Sequence, residues 1–151
     1  LSKDPNFDKW LAAVEGAESG DYAAAMTALR DPRVQIPKTT RAALMSGYQA
    51  LVANDPQAKT KAIQELLALP REDRRDWIAF MLAALGANHE ALQVAKQTPL
   101  LFWQRGMRGV LSDPDFPAVA KQLGLLTYWK TSHTKPDVCL TKGEPLFCRS
   151  I

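Results

Sequence analysis

The sequence predicts an all-α fold: a right-handed solenoid of tetratricopeptide-like helical hairpins with C-terminal capping helices and an irregular tail. Three observations predict it. Apolar residues recur at spacings of three and four along the first two thirds of the chain. No stretch shows the period-two alternation of a half-buried strand. The turn residues Gly20, Asn54 and Gly86 stand 34 and 32 residues apart, each between two helical stretches.

Taken in order, Asp4-Pro5 opens a helix with a cap and a Pro at its first position, and Phe7, Trp10, Leu11 and Val14 share one face. Ser19-Gly20-Asp21 ends it. Asp21 caps a second helix to about Arg30, with Tyr22, Ala25, Met26 and Leu29 on its stripe. Asp31-Pro32 stops that helix, and Pro37 precedes a third in which Ala43, Leu44, Gly47, Tyr48, Leu51 and Val52 face inward. Asn54-Asp55-Pro56 combines a turn with a new start, and the fourth helix uses Ala62, Ile63, Leu66 and Leu67 before ending ahead of Pro70. A fifth runs from Arg71 to Leu85 and buries Trp77, Ile78, Met81, Leu82 and Leu85, with Gly86 suited to the position after its C-cap. Asn88 caps a sixth carrying Ala91, Leu92 and Ala95.

These six helices form three degenerate hairpin repeats over residues 1–97. Ala25 and Ala91 each fall five residues after the turn glycine, where a small side chain lets two helices approach. Gly20, Ala25, Gly47, Gly86 and Ala91 are therefore the expected repeat-packing positions. The middle repeat is looser, since Pro56 replaces the aromatic and Lys59 takes the small position. Beyond Gln97 the pattern changes. A short aromatic helix at Leu100 to Trp103, a helix from Phe116-Pro117 to Gly124 and an apolar turn at Leu125 to Trp129 form a cap over residues 98–130. Residues 131–151 become polar and extended, clipped by a disulfide.

With 151 residues, 46% of them apolar and 23% charged, the composition is globular and the chain can bury a core. The longest apolar run, Trp77 to Leu85, is nine residues, well short of the roughly 20 that a membrane span needs. The chain opens at Leu1 without an initiator Met and reads as a piece of something longer, so a signal peptide would lie upstream. Residues 1–95 carry 11 Lys and Arg against 12 Asp and Glu, and residues 96–151 carry 8 against 4. The basic residues of the second part are scattered singly rather than gathered on one stripe, so direct nucleic-acid contact is not expected. A solvated surface, an acidic partner or anionic lipid remain open for them. Cys139 and Cys148, nine apart in a tail with Pro and Gly rather than on apolar helical faces, favour a disulfide over two free thiols.

The stretch Asp113-Pro114-Asp115-Phe116, then Leu123-Gly124-Leu125 through Tyr128-Trp129, then Pro136-Asp137-Val138-Cys139 resembles the C-terminal end of bacterial multidomain regulators with tetratricopeptide-like repeats. These are membrane-anchored winged-helix transcriptional activators and proteins with an adenylate-cyclase domain in the same place. The resemblance is close over residues 113–139 and looser over the repeats. Val138 stands where those tails usually carry an aromatic or Leu, and Thr131 to Lys135 is more basic than theirs. It implies a sensing or assembly half in the periplasm, with the output domain and a membrane anchor upstream; the cytoplasm is the alternative.

No Gly-rich phosphate loop, Gly-x-Ser-x-Gly elbow or His-Glu-x-x-His motif is present. His133, Cys139 and Cys148 give only three zinc ligands, so no metal and no cofactor is expected. Asp73 and Asp76 share a face but stand among Arg71, Arg74 and Arg75, so the stretch reads as an ion-paired helix start. An enzyme using both with His89 on a helical toroid is a remote alternative. What remains is a surface. The first helix of each hairpin would line a groove with Phe7, Trp10, Val14, Arg41, Leu44, Tyr48, Asp73, Asp76 and Phe80, suited to a peptide with apolar anchors. The same stripes also read as core. The expected role is a protein-interaction or sensor module without catalysis, its partner a protein, a peptide or a second copy. A structural, self-associating solenoid segment is the alternative.

Overall fold

The computed structural model describes Gly16 and residues 19–151. Among these the secondary structure is helical throughout, with no strand. Helix α1 spans Tyr22–Arg30, α2 Lys38–Ala53, α3 Pro56–Leu67, α4 Asp76–Ala84 and α5 Asn88–Ala95. Short 3₁₀ turns follow at Pro99–Trp103, Arg105–Met107 and Val110–Ser112, then α6 at Phe116–Gln122 and α7 at Leu125–Ser132.

Local chemistry sets most of these boundaries. The Asp21 carboxylate accepts from the Ala24 N–H at the start of α1. At the α2–α3 corner, Asn54 adopts the left-handed conformation (φ 49°), and the Asp55 carboxylate caps α3 by accepting from Ala58 N–H. Pro56 is the first residue of α3, where its missing N–H costs nothing. Gly86, at φ +87°, follows α4 and lets the Ala87 N–H reach the Leu82 carbonyl and its own N–H reach Ala83, a Schellman closure.

Two boundaries differ from expectation. The fifth predicted helix does not begin at Arg71. A 3₁₀ turn covers Arg71–Asp73, Arg75 is extended (φ −109°, ψ −160°), and α4 starts at Asp76. Six charged residues give the first turn no apolar face to anchor it, so the helix begins where Trp77 and Ile78 can be buried. Asn88 is the first residue of α5 rather than its cap, and its side-chain amide packs against Gly109.

The helices pack as neighbours in sequence: α1 on α2, α2 on α3, and α4 on α5. Across these, α2 lies against α4, and α3 touches α4. The α2–α4 approach passes through Gly47, where an added Cβ would fall 2.5 Å from the Met81 sulfur. Ala25 and Ala91 are fully buried. Gly20 and Gly86 serve differently from the expected packing role: a Cβ there would meet nothing within 4 Å, and both are needed for positive φ.

The C-terminal segment folds back over α4 and α5 through its 3₁₀ turns, and one apolar core runs from Ala25 to Cys148. Residues 131–151 are less extended than expected. Two 3₁₀ turns form at Asp137–Leu140 and Leu146–Ser150, and the Cys139 and Cys148 sulfurs lie at disulfide-bonding distance, 1.99 Å. Phe147 is 1% exposed, its ring 4.9 Å from Phe116 and 5.6 Å from Trp129. A polar reading of the tail overlooked this single aromatic anchor.

Candidate functional site

The surface readings converge on the charged stretch from Arg71 to Asp76. In a 3₁₀ turn, residues three apart project to the same side. Arg71 and Arg74 accordingly face one way, while Glu72, Asp73 and Asp76 line the opposite wall. The stretch is not the ion-paired helix start expected from its composition: none of its six side chains is in an ion pair among the described residues. Apart from Arg75, which stands with the carboxylates, its charges are sorted by sign onto two clefts.

The acidic cleft, about 550 Å³, lies between the start of α2 and the start of α4. Ile36, Leu44 and Trp77 give it an apolar floor. Glu72, Asp73 and Asp76 stand against one guanidinium, Arg75, whose Nε donates to the Glu72 carbonyl at 3.0 Å. Thr40 also lines this cleft. Thr40 is only 7% exposed and its Oγ1 has no hydrogen-bond partner. A buried hydroxyl left unpaired costs about 1–3 kcal/mol.

The predicted groove residues separate on the structure. Phe7, Trp10 and Val14 lie outside the described residues. Leu44, Asp73 and Asp76 come together in the acidic cleft. Tyr48 does not reach it as a surface residue. It is 1% exposed, its hydroxyl accepts from Trp77 Nε1 at 3.1 Å, and its ring centroid is 6.1 Å from that of Tyr22. Burial holds the Tyr48 phenol above its ordinary pKa, the Trp77 hydrogen bond partly opposing and Tyr22 adding a smaller upward push. Leu44 is itself fully buried and forms floor rather than rim. Arg41 is turned inward: its guanidinium donates to the carbonyls of Leu29, Asp31 and Val34, fastening the chain between α1 and α2. Phe80 is half-buried and packs near Gly106.

The basic cleft, about 230 Å³, lies between the end of α3 and α5 and is lined by Arg71, Arg74, His89, Glu90 and Lys96 among others. The Arg74 Nε is buried without a partner. Asp73 and Asp76 thus line one cleft and His89 the other, and the three do not converge. His89 Nδ1 lies 3.6 Å from a carboxylate oxygen of Asp113 and 3.6 Å from one of Asp115. These three ligand atoms all fall within 4.8 Å of one another and are the one metal-competent group among the described residues. His133 has no such role with the cysteines, whose sulfurs are bonded to each other.

A third cleft, about 510 Å³, has aromatic walls that the sequence reading assigned only to a cap: Trp103, Tyr128 and Trp129, with Pro136 and Arg108. Trp103 is 42% and Tyr128 62% exposed. Thr40 and Lys96 escaped the sequence analysis as well, and Arg74 was named there only as an ion-pair partner. A single Thr on a helix or a Lys at a helix end carries no periodic signal, and only the folded arrangement shows what each lacks. No family model, curated protein or solved structure matches the chain.

Proposed function

We propose that this chain is a protein-interaction module without catalysis of its own, stacked as a tetratricopeptide-like solenoid within a larger bacterial signalling or transcription regulator. Its acidic cleft takes a partner segment in which a Lys or Arg is flanked by apolar residues. One observation carries this reading: three carboxylates face a single cation over an apolar floor in one cleft. A basic side chain would meet the carboxylates, and its apolar neighbours would cover the floor at Ile36 and Trp77. The bonded pair Cys139–Cys148 supports an oxidising compartment such as the periplasm. No helix among the described residues is long and apolar enough to cross a membrane.

The test is fluorescence anisotropy against a panel of labelled peptides pairing Lys or Arg with apolar neighbours, beside the same peptides with Glu in place of the base. The basic set binds, weakens with salt, and loses affinity to Asp73→Asn/Asp76→Asn. Equal binding of both sets, or full affinity in the double variant, would refute the reading.

A second reading, self-association, is favoured by the exposed apolar residues of the C-terminal part, among them Leu100 (76%), Leu140 (71%) and Leu146 (63%). Light scattering over a concentration series separates the two: a monomer throughout removes the second.

A further inference from the structure

We infer that the basic cleft between α3 and α5 is a binding site for the dianionic phosphoryl group of a small phosphorylated molecule. This goes beyond the interaction role and uses none of the acidic cleft's residues.

Charge balance carries the argument first. Arg71, Arg74 and Lys96 bring three permanent positive charges into the cleft, and Glu90 alone opposes them. None of the three cations is in an ion pair among the described residues. Lys96 Nζ reaches only the Gln93 side-chain oxygen, at 2.7 Å. The remaining charge, two positive, matches a phosphate monoester, which carries about −1.5 to −2 at neutral pH.

Desolvation carries it second. A guanidinium Nε pulled out of water normally brings an acceptor with it, and Arg74 Nε has none. Arg71, three residues earlier, lines the same cleft, so two arginines share it and neither is in an ion pair among the described residues. A tetrahedral oxyanion would answer both arginines at once, offering paired oxygens to their planar donor edges, with Lys96 as a third, movable point of charge. The walls from Leu67 and Val94 give an apolar patch for a small organic portion, and about 230 Å³ admits a small molecule rather than a folded partner.

Glu90 opposes the site and lowers affinity for any anion. His89 borders it with Nδ1 3.6 Å from a carboxylate oxygen of Asp113 and 3.6 Å from one of Asp115, so it faces those carboxylates as well as the cleft.

The experiment is calorimetric titration of the intact chain with inorganic phosphate and with glycerol 3-phosphate, beside glycerol alone and sodium chloride at matched ionic strength. Both phosphate probes bind saturably and raise Tm. Glycerol and chloride do neither. Stronger binding of the ester than of inorganic phosphate identifies the apolar wall as part of the site, and equal binding of the two removes the organic portion from the proposal. Arg74→Gln lowers phosphate affinity by about tenfold or more, the loss expected for one charge-assisted contact. Should that half-buried variant not fold, Arg71→Gln and Lys96→Gln, both at exposed positions, decide the matter with the same expected direction. Asp76→Asn, on the other cleft, leaves phosphate affinity unchanged, so failure of the acidic-cleft reading and failure of this one are told apart. A Tm shift no larger than chloride produces, or undiminished affinity in the Arg71 and Lys96 variants, overturns the proposal.

Discussion

Replacing Tyr48 by Phe removes one oxygen and leaves Trp77 Nε1 facing apolar surroundings. The two side chains join α2 to α4, and both are nearly shut off from water, at 1% and 8% exposure. The ring of Tyr48 and its contact with Tyr22 are kept, so cavity formation contributes little. The dominant loss is an indole N–H buried without an acceptor, about 1–3 kcal/mol. At about 3 °C per kcal/mol for a chain of this size, Tm falls by about 3–9 °C. Urea denaturation followed by tryptophan fluorescence measures the free energy directly. A cycle with Trp77→Phe and the double variant then isolates the pair, which should show coupling of about 0.5 kcal/mol or more. A Tyr48→Phe cost below about 0.5 kcal/mol, or strict additivity in the cycle, would show that the hydrogen bond does not join these helices. The same residue sets an alkaline signature. Because the folded state holds the phenol above its ordinary value near 10, the unfolded chain loses that proton first. The contribution of Tyr48 is complete below pH 10 and is lost as pH rises through the higher folded value. Stability measured from pH 8 to 11 should fall more steeply in the parent than in Tyr48→Phe; parallel curves would contradict the assignment.

Reducing the Cys139–Cys148 bond should cost about 2.5–3 kcal/mol in the chain-entropy account of a short loop, read as a drop in Tm with dithiothreitol that the Cys139→Ser/Cys148→Ser variant no longer shows. Gly86→Ala places a side chain at φ +87° and should destabilise by about 1–2 kcal/mol, visible in urea unfolding, whereas an effect near zero would mean that the turn can rebuild. Asp55→Ala removes the acceptor for Ala58 N–H at the start of α3 and should cost about 0.5–2 kcal/mol. Asp55→Asn, which keeps an acceptor, should recover most of it.

Much of the helical plan was legible because its signals are local. Asp21, Asp55 with Pro56, and Gly86 announce starts and stops by chemistry that acts within four residues. Gly47 was legible as an inward-facing position, though not that Met81 fills the space beside it. The candidate clefts were less legible. Asp73, Asp76 and Leu44 were placed on one groove by hairpin spacing and do line one cleft, yet Arg41 and Tyr48 from the same stripe turn to the interior. Helical spacing states which residues share a face and is silent on whether that face meets solvent or another helix. The break at Arg75 was hidden for a related reason: helix propensity favours continuing through Arg-Glu-Asp-Arg-Arg-Asp, and only the pull of Trp77 and Ile78 toward burial moves the start. Phe147 shows the opposite failure, one aromatic in a polar tail whose burial depends on Phe116 and Trp129, far away in the chain.

The hydrogen atom that Gly47 carries in place of a side chain works as a spacer of minimum thickness. The thioether of Met81 rests on that bare backbone one turn beyond Leu44, a residue of the acidic cleft's floor, so the spacing of α2 and α4 is set close to that cleft. A bulkier residue here would act like a shim in a hinge, spreading the jaws without touching any residue that grips.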